Sequence, residues 1–394
     1  MWYSLLIHNK EREVNLLSEQ LQVEKEINLD LSLKYRLQLE TNKEISDKSF
    51  QDHLIIQNLN EKVNKYQVSL KTSQFKQNEN GTIPIVILTC NRPDYLNITI
   101  HSLLRIRKNS IKNPIFISHD CNDSKTLEML ENEFQKEIIV LRNPNRGAVN
   151  ETYRAISRHY KWILGEMFDK LNYQSLIILE DDLKVSLDFI DYFDKMKVLL
   201  YKESSLFCVS AWNDNGKAKH LNPDRTKAEM TFKRTDFFPG LGWMLLQGFW
   251  REIRDNWPID YWDDYLREKD VVKGRQCIQP EIPRVSNFGL LGATSELLYI
   301  NNIKDIVSLD DNVTISYENF DIHQLSNEQY LEDFQKSVES SKIIQLYEID
   351  MFGYRNQTLR IVYKDDYDFT FYANQFGLIS DLREGVQRCS YHNK

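Results

Sequence analysis

Apolar and polar positions alternate differently in three successive stretches of the chain. From residue 8 to about 75, Glu, Lys, Leu, Asn and Gln dominate, with no Pro or Gly. Leu16, Leu17, Leu21, Val23, Ile27, Leu31, Leu33 and Leu37 form an imperfect helical stripe, continued by Ile55, Ile56, Leu59, Val63 and Leu70. This pattern predicts a helical or coiled-coil stem over 1–76, able to pair with a second copy as a homodimer. A solvated spacer is the alternative, because the heptads are irregular. The polar run Gln77-Asn-Glu-Asn-Gly81 marks a boundary. Over 77–212, short aliphatic runs then alternate with amphipathic ones. Strands are expected at 83–89, 115–118, 138–141, 176–179 and 206–211, and helices at 93–106, 124–134, 151–170 and 187–200. Pro93 sits at an acceptable first helical position. Strand–helix alternation of this kind predicts an α/β fold with a mainly parallel central sheet. Beyond residue 213 the pattern breaks up. Gly, Trp and Pro punctuate Phe238-Pro-Gly-Leu-Gly-Trp243 and Asn256-Trp-Pro258, which predicts a second half, 213–394, of irregular loops over the sheet edge. A late strand near 359–363 and a helix over 369–376 follow.

Composition narrows the possibilities. In 394 residues, 41% are hydrophobic, enough for a sizeable core. A net charge of −8 supplies no basic face, which argues against nucleic acid as a partner. The 20 Tyr, 19 Phe and 7 Trp suit a sugar-binding cleft as well as an aromatic core. No run reaches the roughly 18–20 apolar residues of a membrane span. The apolar start Met1-Trp-Tyr-Ser-Leu-Leu-Ile7 is too short and lacks the flanks of a signal peptide. Either the protein carries no anchor or the sequence begins just after one. The five Cys form no CxxC pair, which argues against a zinc site.

The candidate chemistry gathers at strand ends. Glu180-Asp181-Asp182 follows the buried-strand pattern Ser175-Leu-Ile-Ile-Leu179. Three carboxylates at the C-terminal edge of a parallel sheet call for a cation or a ligand, and hard oxygen donors suit Mn²⁺ or Mg²⁺ holding a diphosphate. A helix-capping acidic turn is the competing explanation. The earlier strands end in Cys90-Asn91-Arg92-Pro93 and Ser118-His119-Asp120-Cys121. Converging there, Arg92 could hold a phosphate and Asp120 a ribose or base. There is no GxGxxG after the first strand, so a dinucleotide fold lacks its phosphate loop. His159, within Arg158-His-Tyr-Lys-Trp162, is either a site residue or a buried structural histidine, and the second is the commoner fate. In Tyr261-Trp262-Asp263-Asp264-Tyr265, an aromatic surround could tune a carboxylate as general base, or Asp263 or Asp264 could simply cap a helix.

Taken together, several long blocks resemble the β-1,2-N-acetylglucosaminyltransferase I family. They are Ile85-Val-Ile-Leu-Thr-Cys-Asn-Arg-Pro93, Ser157-Arg-His-Tyr-Lys-Trp162 and Glu180-Asp-Asp-Leu-Lys-Val185, then Cys208-Val-Ser-Ala-Trp-Asn-Asp-Asn-Gly-Lys217 and Arg234-Thr-Asp-Phe-Phe-Pro-Gly-Leu-Gly-Trp243. Trp262-Asp-Asp264 and Gly377-Leu-Ile-Ser-Asp-Leu-Arg-Glu-Gly385 complete the set, so the resemblance covers about 82 to 392. It implies a GT-A fold, with a UDP-sugar-binding half at 77–212 and an acceptor-binding half at 213–394. The implied activity is inverting transfer of GlcNAc from UDP-GlcNAc, in β-1,2 linkage, to the α-1,3-linked mannose of a Man5GlcNAc2 N-glycan, the partners being that donor and a high-mannose N-glycoprotein. The cofactor it implies is Mn²⁺.

By position in the family motifs, Asp182 would bind Mn²⁺ and Asp263 would be the catalytic base, while Arg92, Asp120, His159 and Asp181 would contact the donor. The family has a donor-touching Ser in the loop after Phe288-Gly289. Here Gly292-Ala-Thr-Ser295 puts Thr294 at that place, with Ser295 beside it. The family pairing implies disulfides Cys90–Cys121 and Cys208–Cys277, leaving Cys389 over. Golgi membrane residence with a lumenal catalytic domain is likewise the family's implication. The sequons at Asn97, Asn122, Asn150, Asn312 and Asn356 fit that compartment. Two alternatives stand beside this reading: an O-mannose β-1,2-N-acetylglucosaminyltransferase, and a catalytically inactive glycan-binding paralogue.

Overall fold

A computed structural model describes residues 81–121, 123–144, 152–289, 303–352 and 357–379, together with 382–383, 386–387 and 390–391. The predicted stem at 1–76 and the loop holding Thr294 and Ser295 lie outside these residues.

The strand–helix alternation appears as expected. β1 (Ile85–Thr89), α1 (Pro93–Ile106), β2 (Ile115–His119), α2 (Ser124–Glu133), β3 (Ile138–Arg142) and α3 (Thr152–Leu164) come first. A π-helical turn, Gly165–Lys170, extends α3, and β4 (Ser175–Glu180), β5 (Leu183–Val185), α4 (Phe189–Lys202) and β6 (Leu206–Ser210) follow. All five β1 residues are buried, as are the first five of β4, so these aliphatic runs are strands covered on both faces. α1 buries Leu96, Thr99, Ile100, Leu103 and Ile106, one stripe of a 3.6-residue period laid on the sheet. Asp123 caps α2 by accepting from the backbone N–H of Thr126.

The second half differs from its expectation of irregular loops. After α5 (Arg225–Glu229) it adds β7 (Phe232–Thr235) and β8 (Trp243–Leu246), then α6 (Gln247–Ile253), α7 (Trp262–Tyr265), α8 (Lys269–Val272), β9 (Gln276–Pro280) and β10 (Val285–Asn287). These strands have three to five residues each and are separated by Gly and Pro, which is why periodicity did not reveal them. Three of them complete an eight-stranded sheet of order β3-β2-β1-β4-β8-β6-β9-β7. β8 runs antiparallel to β4 and β6, and β7 antiparallel to β9, while the other pairings are parallel. The α/β class with a mainly parallel central sheet is therefore correct.

Both expected disulfides form, Cys90–Cys121 and Cys208–Cys277. The first ties the ends of β1 and β2 together. The second joins the facing residues of β6 and β9. The core beneath β9 and β10 contains a fully buried ion pair, Arg284 Nε to Asp188 Oδ2 at 2.8 Å, completed by the Tyr317 hydroxyl donating to the same oxygen at 2.6 Å.

Candidate active site

Parallel pairing aligns Thr89 with His119 and Leu88 with Glu180, so β1, β2 and β4 end at one edge of the sheet. The residues that follow those ends meet there. Arg92 Nη1 donates to Asp182 Oδ2 at 3.0 Å, and its Nη2 forms a second ion pair with Asp181 Oδ1. The Thr89 hydroxyl donates to Asp181 Oδ2 at 2.8 Å, and that of Thr99 to the Asp181 carbonyl at 2.7 Å. Asp182 is held from its other side by β10: Asn287 Nδ2 donates to Oδ1 at 3.4 Å, and the Phe288 N–H to its carbonyl at 3.1 Å. Gly289 closes over the carboxylate, leaving no room for a side chain: a Cβ there would meet Asp182 Oδ2 at 2.2 Å.

The acidic triplet is no helix cap. It forms the turn between β4 and β5, and Asp188 is the residue that precedes α4. One guanidinium faces three carboxylates. Burial, and then Asp182, push the Glu180 carboxyl up to about 7, with the Tyr160 hydroxyl pulling the other way. Burial also raises Asp181 to about 6, against the pull of Arg92. Burial works against the Arg92 charge, but Asp181 and Asp182 outweigh it and hold its pKa above the ordinary value. Both carboxyl shifts come chiefly from burial, which disfavours the charged form, with the neighbouring carboxylates adding to it.

Asp120 follows β2, its N–H donating to the Thr89 carbonyl at 3.2 Å and its Oδ1 accepting from Asn143 Nδ2 at 2.7 Å. It thus sits beside the end of β1. His159 is buried on α3, its Nε2 2.6 Å from the Ser118 hydroxyl. Burial, and then His119, depress it to about 3, so its imidazole is neutral. Its ring lies buried against Ser118, two residues before Asp120.

Asp263 reaches the same edge through aromatic rings. It lies in the first turn of α7, preceded by Tyr261, and no side chain caps that helix. Arg267 Nη1 instead donates to both carboxylates, to Asp263 Oδ2 at 2.7 Å and to Asp264 Oδ1 at 2.8 Å. The Arg267 guanidinium is itself fixed over the Phe237 ring at 4.5 Å and near the Phe238 carbonyl at 3.3 Å. Trp262 stacks on Tyr160 at 3.9 Å between centroids, and the Tyr160 hydroxyl donates to Glu180 Oε1 at 3.0 Å. Burial, then Glu180, and more weakly Asp263, hold the Tyr160 phenol well above its usual pKa. Tyr160 therefore stands between the triplet and Asp263.

Arg92, Asp181 and Asp182 are in direct contact, Asp120 adjoins them, and Asp263 joins through Tyr160 and Trp262. His159 contacts Ser118 instead. Sequence reasoning passed over Thr89, Tyr160, Arg267, Asn287 and Gly289. The first two lay inside quoted blocks, but as side chains that only position others they carried no separate signal. Among the described residues, no three His, Cys, Asp or Glu side chains group to cage a metal alone. The donor set nevertheless fits a hard dication shared with a diphosphate: one carboxylate pocket under Gly289, excess negative charge, and oxygen ligands only.

Comparison with known proteins assigns this sheet edge to a glycosyltransferase. Residues 5–393 match the GNT-I family, and the chain belongs to it. A relative from Arabidopsis thaliana, named alpha-1,3-mannosyl-glycoprotein 2-beta-N-acetylglucosaminyltransferase, is 34% identical over 329 residues, 80% of this chain and 72% of that one. Among solved structures, GalNAc-T7 with UDP, GalNAc and Mn²⁺ overlays on 52% of this chain and 43% of its own, at 14% identity and TM-score 0.39. The mannosyltransferase PcManGT from Pyrobaculum calidifontis, with GDP-Man and Mn²⁺, overlays on 71% and 72%, at 11% identity and TM-score 0.36.

Proposed function

We propose that this chain transfers GlcNAc from UDP-GlcNAc to the 2-hydroxyl of the α-1,3-linked mannose in a Man5GlcNAc2 N-glycan. The product is the β-1,2 linkage that opens hybrid and complex N-glycan formation. Family membership supports the activity, and one observation supports the site: Tyr160 bridges the Glu180 carboxylate to Trp262, the neighbour of Asp263. A metal-binding triplet and a reachable carboxylate are thereby held on two sides of one ring.

The reaction is a single in-line displacement. The mannose O2 attacks the anomeric carbon of GlcNAc as the bond to the UDP phosphate oxygen breaks, and the electron pair leaves with UDP. Asp263 takes the hydroxyl proton; its side chain is 40% exposed. Arg267 occupies Oδ2, and among the described residues no group donates to Oδ1, which is left for the acceptor. Asp182 would hold the Mn²⁺, which when bound supplies Lewis-acid stabilisation of the departing diphosphate. Arg92 orients Asp181 and Asp182 for that task, and Asp120 offers a carboxylate to the nucleoside. Thr294 contributes a donor-contacting hydroxyl by its place in the family pattern.

The Golgi lumen is the compartment this reading assigns. Two disulfides fit oxidising surroundings, and Asn312 lies exposed in a turn with Thr314 also exposed, a sequon open to modification. No helix among the described residues is long and apolar enough to cross a membrane.

The test is incubation with UDP-GlcNAc and a Man5GlcNAc2 glycopeptide, with Mn²⁺ or with EDTA, and linkage analysis of the product. A Mn²⁺-dependent β-1,2 product on the α-1,3 arm is expected. Product on an O-mannosyl peptide alone would reassign the acceptor, and failure on both with intact donor binding would favour the inactive paralogue.

A further inference from the structure

One feature beside Asp263 has no role in the chemistry above. The segment from Trp257 to Tyr261, which leads into α7, is strapped to α3. Ser157 Oγ donates to the Pro258 carbonyl at 2.7 Å, Trp257 Nε1 donates to the Ser157 carbonyl at 3.0 Å, and Arg154 lies 3.7 Å from Asp260. The strap ends at Tyr261, whose φ of 45° and ψ of 49° place it in the left-handed region. A bulky residue with a Cβ is an outlier there, where Gly or Asn would be relaxed. Strain of this kind persists where the surroundings impose it, and it clusters at sites of function.

Burial does not explain the choice of tyrosine. Tyr261 is 52% exposed as a residue and its ring stacks on that of Tyr153 of α3, itself 41% exposed, with centroids 4.9 Å apart and planes 28° from parallel. Two phenols thus lie side by side on the surface, one of them two residues before Asp263. Each presents an apolar face and a wet hydroxyl, a combination suited to a pyranose, whose C–H face packs on a ring while its hydroxyls take hydrogen bonds. An acceptor mannose delivered to Asp263 brings neighbouring sugars of its glycan across the adjoining surface.

We propose that Tyr153 and Tyr261 form an acceptor subsite that takes a mannose ring adjoining the one that reacts. This rests on Asp263 being the base of the proposed transfer. It assigns these tyrosines to acceptor recognition, with the backbone at Tyr261 held out of its relaxed conformation to keep the ring beside the reacting hydroxyl.

The experiment uses the whole chain and three variants, Tyr261→Asn, Tyr153→Ala and Tyr261→Phe. Asparagine tolerates the left-handed backbone, so Tyr261→Asn removes the ring without a folding penalty at that position. The KM values for Man5GlcNAc2 glycopeptide and for UDP-GlcNAc, and the Tm, are measured together. The expected result is a rise of about tenfold in acceptor KM for Tyr261→Asn and Tyr153→Ala, the scale of one lost aromatic contact. Donor KM should hold, and Tyr261→Phe should keep most of the acceptor affinity. An unchanged acceptor KM in both ring-removing variants overturns the subsite. So does a parallel rise in both KM values with a fall in Tm, the signature of a strap that only fastens α7. Wild-type protein with no transfer at all would sink the proposed function and the subsite with it, whereas wild-type transfer with unaffected variants sinks the subsite alone.

Discussion

Replacing Gly289 by alanine tests whether the pocket around Asp182 is as tight as its function requires. A Cβ at this position would lie 2.2 Å from Asp182 Oδ2, against ordinary contact that begins at 3.4 Å, so the carboxylate must retreat by about 1 Å. It has little freedom to do so. Arg92 and Asn287 hold its two oxygens, and the Phe288 N–H holds its carbonyl. Overpacking of this kind costs about 1–3 kcal/mol, which in a chain of this size lowers Tm by about 2–6 °C. Catalysis should suffer more, because a misplacement of roughly 1 Å at a reacting centre costs on the order of 10²-fold in rate. Titrating Mn²⁺ while following both transfer and the ligand-induced rise in Tm separates the two effects. Gly289→Ala should need more Mn²⁺ for half-maximal activity and gain less Tm from it. Gly248→Ala in α6, where a new Cβ meets nothing within 4 Å, is the matched control and should behave as wild type. Wild-type kcat/KM and Mn²⁺ response in Gly289→Ala would refute the claim that Asp182 must stay where this glycine lets it lie.

Other residues give further expectations. Tyr160→Phe deprives Glu180 of its hydroxyl partner, a loss of about 1–3 kcal/mol at that carboxylate, and should raise the UDP-GlcNAc KM more than the acceptor KM in steady-state kinetics. Arg267→Met should lower kcat on the order of tenfold with donor KM held, since it frees Asp263 to rotate; equal kcat would remove Arg267 from the positioning of the base. His159 is neutral when folded, with its pKa depressed to about 3, so its contribution to stability is present above pH 6.5 and lost as pH falls from there toward 3. At pH 5 that loss is about 2 kcal/mol. The raised Glu180 and Asp181 carboxyls act with the opposite sign over part of this window, so the test is the difference between wild type and His159→Gln in denaturant unfolding. That difference should shrink from pH 7 to pH 5, and a constant difference would contradict a buried neutral ring.

The alternating half of the molecule was legible because its signals are local. Five-residue aliphatic runs such as Ile85–Thr89, and stripes such as Leu96, Ile100 and Leu103, determine strand and helix within one window. The strand ends then followed, and with them the meeting of Arg92 with Asp181 and Asp182. β7, β8 and β9 were not legible: four or five residues, broken by Gly240, Gly242 and Pro280, become strands only when a neighbour supplies the ladder. The positioning residues were hidden for a related reason. That Tyr160 joins Glu180 to Trp262, or that Gly289 must lack a side chain, depends on contacts between residues 20 to 107 apart in sequence. His159 was legible from its motif, but its partner was not: the ring meets Ser118 of β2, 41 residues away in sequence.

The most direct test of the account is Asp263→Asn, assayed for both chemistry and donor binding. The variant keeps the shape of the side chain and removes its basicity. The account predicts that UDP-GlcNAc affinity in the presence of Mn²⁺ stays at the wild-type value while kcat for transfer to Man5GlcNAc2 glycopeptide falls about 10²–10⁴-fold. Transfer within a few-fold of wild type would contradict Asp263 as the base, and an equal loss of donor affinity would make it a binding residue instead.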